Sequence, residues 1–173
     1  MQATRETYPR DVSVARPIVR PSVESWGPLI GRVLIAAIFL VSGVAKVTDF
    51  DGTVGHMRAA GLPATEALAA MAAVVELGCA LALLLGAWAR SAGLLLALYL
   101  IPVTFVFHAF WNYTGMDQRM QLINFLKNLG IMGGLAYVAT YGPGLFAIDA
   151  RRRRRAALQP PSVRPFARVP IGT

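Results

Sequence analysis

Apolar residues fill four long stretches of the chain, and polar residues fall mainly between those stretches and at the two ends. The first stretch is "PLIGRVLIAAIFLVSGVAKV", Pro28 to Val47, with Arg32 and Lys46 near its ends, where long side chains can reach out to the interface. The second runs from Ala67 to Trp88 and is interrupted only by Glu76. The third, "SAGLLLALYLIPVTFVFHAF", runs from Ser91 to Phe110 and carries no formal charge unless His108 is protonated. The fourth runs from Met120 to Tyr141, with Lys127 in its first third. Each stretch is close to the roughly 20 residues a helix needs to cross the hydrocarbon layer. A water-soluble helical bundle would repeat a polar face every three to four residues, whereas the third stretch is apolar all round. The pattern therefore predicts an all-α membrane protein, a four-transmembrane-helix bundle.

Between the first two spans lies "TDFDGTVGHMRAAGLPATE". Phe50, Val54 and Met57 fall at i, i+4 and i+7, with His56 and Arg58 off that face, and Gly61 and Pro63 mark a stop and restart. This predicts a short interfacial helix in the first outer loop, lying on the bilayer surface. Small residues at four-residue spacing let membrane helices approach closely. Gly78, Ala82 and Gly86 form such a stripe on the second span. Gly93 with Ala97, and Gly130 with Gly134, do so on the third and fourth. Pro102 removes a backbone donor inside the third span and is expected to bend it. The first span is expected to be retained rather than cleaved as a signal peptide, because its apolar run is long and no A-x-A site follows.

Charge refines this picture. The 173 residues are 55% hydrophobic and 15% charged, more apolar than ordinary soluble composition, with a formal charge of +8. The surplus sits at the ends, in Arg5, Arg10, Arg16, Arg20 and the run Arg151–Arg155. Basic ends alone would suit nucleic acid; around lipid-soluble spans they read as membrane flanks, so no nucleic-acid partner is expected. The run Arg151–Arg155 is expected to meet anionic lipid headgroups, each Arg contributing about 1 kcal/mol near the surface. With four spans both termini share a side, and Arg32, Arg90 and the basic ends outweigh Lys46, Arg58, Arg119 and Lys127 opposite. The positive-inside rule then places both termini in the cytoplasm. The resulting division is a disordered basic arm over 1–27, a membrane domain over 28–149, and a basic, Pro-containing disordered tail over 150–173.

The candidate chemistry lies in the few polar groups inside the spans. A charge near the bilayer centre costs about 2.5–3.5 kcal/mol on insertion scales, so Glu76 must be neutralised, paired or placed on an aqueous cavity. Lys46 and His108 end their spans on the outer side. On the fourth span Gln121, Asn124 and Asn128 share one arc, with Lys127 at its edge. Four helices can aim these groups at one place. Two readings follow. In one, Lys46, Glu76, His108, Asn124 and Asn128 line an outward polar pocket suited to a quinone headgroup or another small polar ligand, with Glu76 and His108 exchanging protons. In the other, Glu76 pairs with Lys46 or the amides and only fixes helix register. Metal or haem is not expected, since the only two histidines are His108 and His56, the latter placed in a loop, and no His or Cys ligand motif is present. The single cysteine, Cys79, reads as an apolar filler.

The segments "GRVLIAAIFLVSGVAKVTDF", "GLPATEALAAMAAVVELGCALALLLGAWARSAGLLLAL", "FVFHAFW", "NFLKNLGIMGGL" and "YGPGLFAID" together resemble the DoxX family of small bacterial membrane proteins. The resemblance spans roughly Gly31 to Asp149. It implies a four-span bundle in the bacterial inner membrane, tied to respiratory or redox functions. One branch is a subunit of a thiosulfate:quinone oxidoreductase, and other members accompany soluble partners in oxidative-stress defence. The positions matching the family's polar motifs are Lys46, Glu76, Arg90, His108 and Asn128, with Arg90 anchoring the cytoplasmic turn. The expectation is thus a membrane subunit of a quinone-linked oxidoreductase assembly with other protein subunits, no covalent cofactor and quinone as a candidate ligand. A non-catalytic membrane scaffold or assembly factor is the alternative from a different class; a small transporter is a third, disfavoured because the four spans show no clear internal repeat.

Overall fold

The computed structural model describes residues 23–158. Six helices follow in order: α1 (Val23–Thr48), α2 (Phe50–Ala59), α3 (Thr65–Leu85), α4 (Ala89–Phe107), α5 (Gly115–Tyr141) and α6 (Ile148–Leu158), with a 3₁₀ turn at Phe110–Asn112 before α5. Four of them, α1, α3, α4 and α5, are long and apolar enough to cross a membrane. They form the expected four-transmembrane-helix bundle. Successive spans run antiparallel, so one end of the bundle holds the start of α1, the α3–α4 turn and α6. The other end holds α2 and the α4–α5 connection.

The outside of the bundle is as apolar as its interior. Leu34, Val41 and Val74 are exposed at 64%, 72% and 71%, which water would penalise and lipid tails do not. With lipid outside, association depends on close fit. Ala36, Ala80 and Ala89 are fully buried around Phe39, Leu83, Leu96 and Leu135. A Cβ on Gly43 would stand 2.7 Å from the Leu77 side chain, so glycine is what lets α1 lie against α3. Of the small-residue stripes read from sequence, Gly93 approaches the Leu135 carbonyl and Gly134 approaches Ile35, while Gly78 and Gly130 meet nothing. Helices α1 and α3 pack intimately, as do α4 and α5; α1 and α5 meet only lightly.

Helix α2 is where the first outer loop was expected to place it, but it does more than lie on the bilayer. The Asp49 side chain caps it by accepting from the Gly52 N–H at 3.1 Å. Val54 and Met57 are buried against Ala69 and Ala72 of α3, so α2 roofs one end of the bundle. The expected helix stop holds, with α2 ending at Ala59 and α3 starting at Thr65.

The opposite end is latched by two charged side chains. The sequence reading let Arg32 reach out to the interface; instead it is fully buried. Its Nη1 donates to the Leu83 carbonyl at 2.8 Å and to that of Leu84 at 3.4 Å, and Nη2 donates to the Phe146 carbonyl at 3.5 Å. A guanidinium at the C-terminal end of α3 satisfies orphan carbonyls and opposes the helix dipole. Asp149 does the converse at α4: Oδ1 and Oδ2 accept from the N–H groups of Trp88 and Ala89 at 3.0 and 3.1 Å, and its own N–H donates to the Gly86 carbonyl at 3.0 Å. Gly86 sits between, at φ +67°, where a Cβ would come within 2.5 Å of both Ala147 and Arg32. Removing the cap by Asp149→Ala is expected to cost about 1–2 kcal/mol, the usual value of an N-cap, read as a lowered unfolding midpoint in detergent.

The arm assigned to 1–27 lies almost wholly outside the described residues, apart from the first residues of α1. The tail differs from expectation: 148–158 is helix, so disorder from 150 is corrected there, and 159–173 lies outside the described residues. The run Arg151–Arg155 is helical because Asp149 fixes its first turn and the Arg152 guanidinium sits 5.5 Å from the Trp88 ring centroid. Arg90, on the first turn of α4, lies against Gly142 at the end of α5. Helix α4 runs unbroken through Pro102.

Candidate functional site

Helical side chains lean toward their own N-terminus. On antiparallel α1 and α3 that lean brings Lys46 down and Glu76 up, and they meet. Lys46 Nζ donates to Glu76 Oε2 at 2.9 Å and to Ser42 Oγ, one turn away, at 2.7 Å. Tyr99 of α4 donates its hydroxyl hydrogen to Glu76 Oε1 at 2.7 Å. Glu76 is 4% exposed and each carboxylate oxygen is engaged. The acid in the apolar run is thus balanced by one cation and one phenol, drawn from two other helices.

This cluster forms part of the wall of a cavity of about 740 Å³ beneath α2, within the usual range for small-molecule sites. His108 and Asn128 also line it. His108 Nδ1 lies 2.8 Å from Gln121 Oε1. An amide oxygen only accepts, so Nδ1 carries the hydrogen of this contact; in the neutral ring Nε2 is then the acceptor. Asn128 Nδ2 donates to Thr104 Oγ1 at 3.0 Å, and Thr104 is fully buried. Between these polar groups the wall is apolar, with Phe39, Leu68, Leu100 and Val103.

Of the residues singled out from sequence, Lys46, Glu76, His108 and Asn128 converge on the cavity. Asn124 does not line it and is half-buried on α5. Direct exchange between Glu76 and His108 has no contact behind it, because the partners of Glu76 are Lys46 and Tyr99. Pro102 lines the cavity as well as interrupting the backbone ladder of α4.

Sequence reasoning missed Ser42, Tyr99 and His56. Ser42 stands one turn before Lys46, a spacing that was readable. Tyr99 has no formal charge to mark it within an aliphatic run. His56 was placed in a loop and off the buried face of its segment; it is on α2, stacked on Phe107 with ring centroids 5.0 Å apart, and it borders the cavity. Both histidines of the sequence thus touch one space.

A family model described as DoxX matches residues 27–109, from the start of α1 to just past α4. That range includes Lys46, Glu76, Tyr99 and His108 and stops short of Asn128. Inner membrane protein YphA of Escherichia coli (strain K12) is 33% identical over 141 residues, 82% of this chain and 95% of its own length. Inner membrane protein YqjF of the same organism is 34% identical over 128 residues, 73% of this chain and 92% of its own. No solved structure matches.

Proposed function

From the premise that the chain belongs to the DoxX family, and is a multi-pass protein of a bacterial inner membrane, we propose that it is the membrane subunit of a quinone-linked oxidoreductase assembly. The cavity beneath α2 would bind the headgroup. One observation carries this reading. The ion pair of Lys46 with Glu76, extended by Tyr99, gives a largely apolar cavity of about 740 Å³ a polar wall drawn from three helices.

The residues fit such a head. A quinone ring needs flat apolar contact and hydrogen bonds at two opposed oxygens. Phe39 and Leu100 offer the first; the Lys46 ammonium and the Asn128 amide each keep a hydrogen not given to Ser42, Glu76 or Thr104 and are donors within the same space. A bound quinone supplies acceptance of two electrons and two protons, the electrons coming from a partner subunit. The residues of this chain would orient the ring, exclude water and hold protons: at the Tyr99 hydroxyl, shared with Glu76, and at the Lys46 ammonium. His108 would accept at Nε2. In this reading the termini face the cytoplasm, where Arg90 and α6 concentrate positive charge, and the exposed arginines of α6 contact anionic headgroups.

A second reading has its own observation. Glu76 is satisfied within the protein, by one partner on α1 and one on α4, so the cluster also suits a scaffold in which it merely ties three helices together. Quinone content separates the two. The protein is purified in native-lipid particles and extracted quinone is compared for wild type, Tyr99→Phe and His108→Ala. A bound headgroup predicts near-stoichiometric quinone in wild type. Tyr99→Phe removes the hydroxyl that holds Glu76 in place, and His108→Ala removes the acceptor for the hydroxyl of a reduced head; each should weaken retention about tenfold. Wild-type protein with no quinone above the lipid background favours the scaffold.

A further inference from the structure

The wall of the cavity is not uniform around the bundle. On α1, Ile35, Ile38, Ser42 and Ala45 fall at i, i+3, i+7 and i+10, one stripe of the helix. On α5, Lys127, Ile131 and Gly134 fall at i, i+4 and i+7. The two stripes meet where Ile35 lies against Gly134. Seven residues further toward α2 on each helix, about 10 Å, stand Ser42 and Lys127. Between those levels the helices do not close: Ile38, Ser42, Ala45 and Ile131 all line the cavity, Ile38 and Ala45 are exposed, and Ala45 also borders a groove on the outer face of α1 with Val41 and Val44. The cavity therefore has a slot toward the lipid between α1 and α5, closed at its base by Ile35 and Gly134.

Lys127 flanks that slot. It is exposed, lies within an apolar span, and has no hydrogen bond or ion pair among the described residues. Its stem leans toward the N-terminus of α5, the α2 end, into the layer of Ser42, Lys46 and Glu76. Lys127 thus stands beside the layer of the Lys46–Glu76 pair, where the walls leading in are hydrocarbon; Asp49, the other carboxylate lining the cavity, caps α2 above that layer.

We propose that the cavity takes its ligand sideways from the bilayer through the slot between α1 and α5, and that Lys127 binds an acceptor oxygen of the incoming head. The ligand class is then an amphiphile: a single lipid tail that stays in the slot against Ile38 and Ile131, and a head bearing two or more acceptor oxygens. This rests on the headgroup reading above. It adds the route, the tail and a binding residue on α5 that no cavity contact of Glu76 requires.

A rival route exists, because Met71, Pro102 and Val106 are exposed and also line the cavity, on the α3–α4 side. The experiment sets the two against each other. Protein in lipid nanodiscs is equilibrated with a decyl-tailed benzoquinone and, separately, with the same benzoquinone lacking a tail; affinity is measured by equilibrium dialysis and release by chase. Ile38→Trp is expected to slow release of the tailed probe about tenfold and leave the tail-less probe unchanged, while Met71→Trp changes neither. Lys127→Met should weaken binding of the tailed probe about tenfold, with Lys127→Arg close to wild type, as expected for loss of one charge-assisted hydrogen bond. Ile38 and Met71 are half-exposed to lipid, so tryptophan has room at both; Ala45→Trp repeats the block from a second position. Slowing by Met71→Trp in place of Ile38→Trp, or by neither, overturns the route. Unchanged affinity in Lys127→Met overturns its role. Failure of wild type to bind either probe overturns the headgroup reading and this one together, and is distinguished from the other failures by that joint loss.

Discussion

Glu76→Leu is expected to lose about 3–5 kcal/mol of stability, the range measured when one member of a buried ion pair is removed. The reason lies in what remains. Lys46 is left with Ser42 as its sole acceptor, its side chain 19% exposed, and the Tyr99 hydroxyl loses its acceptor. Restoring apolar balance should undo most of the damage. Replacing a buried pair by packed apolar residues is often neutral, so Lys46→Met combined with Glu76→Leu is expected to melt close to wild type. Chemical unfolding of the purified single and double variants in one detergent, arranged as a double-mutant cycle, checks this. A double variant no better than Glu76→Leu would show that the carboxylate matters to the fold through something other than its cation. The stable double variant then becomes the useful reagent: a folded bundle whose cavity has lost its polar wall, expected to retain no quinone.

Arg32→Met should be as damaging, and for a different reason. Here no carboxylate is in ion-pair contact; Asp149 acts on Arg32 only through its charge and is itself occupied in capping α4. Arg32 serves carbonyls of Leu83, Leu84 and Phe146. Leu83 keeps the Gly86 N–H as a second donor, but a buried acceptor left without a donor costs about 1–3 kcal/mol, and the packing of the long buried side chain is lost as well. A loss of about 3–5 kcal/mol is expected, with no rescue by a second substitution. Arg32→Lys should recover only part, since an ammonium cannot reproduce the spread of two guanidinium nitrogens over separated carbonyls. The unfolding midpoints of the two variants check the order; Arg32→Lys equal to wild type would reduce the residue to a simple charge.

The spans were legible because the bilayer imposes a length, and four runs met it. The convergence of Lys46, Glu76, His108 and Asn128 was legible because charge and amide groups in an apolar run are costly wherever they fail to meet a partner. What stayed hidden has three physical sources. Tyr99 carries its polar atom at the tip of a large apolar ring and scores as hydrophobic. Arg32 was judged by its distance from the end of the span, whereas its burial is decided by Phe146, 114 residues away, in a segment that folds back over it. The helix of α6 was invisible because five adjacent arginines repel; its anchor is the reach of Asp149 to Trp88 and Ala89, which no local pattern encodes. Asn124 shows the reverse failure. It shares an arc with Asn128 on the helical wheel, yet the cavity ends before reaching it.

The latch at the terminal end also sets an order of events during biosynthesis. Arg32 leaves the ribosome early and needs Phe146, while the turn at Gly86 to Ala89 needs Asp149. Both partners belong to the last stretch of the described chain to be made. Until the fourth crossing has been threaded, Arg32 lacks one of its acceptors and α4 lacks its cap. Closure of the bundle is therefore a final act, and a nascent chain halted before residue 146 would present the quality-control proteases with an inserted but unlocked hairpin.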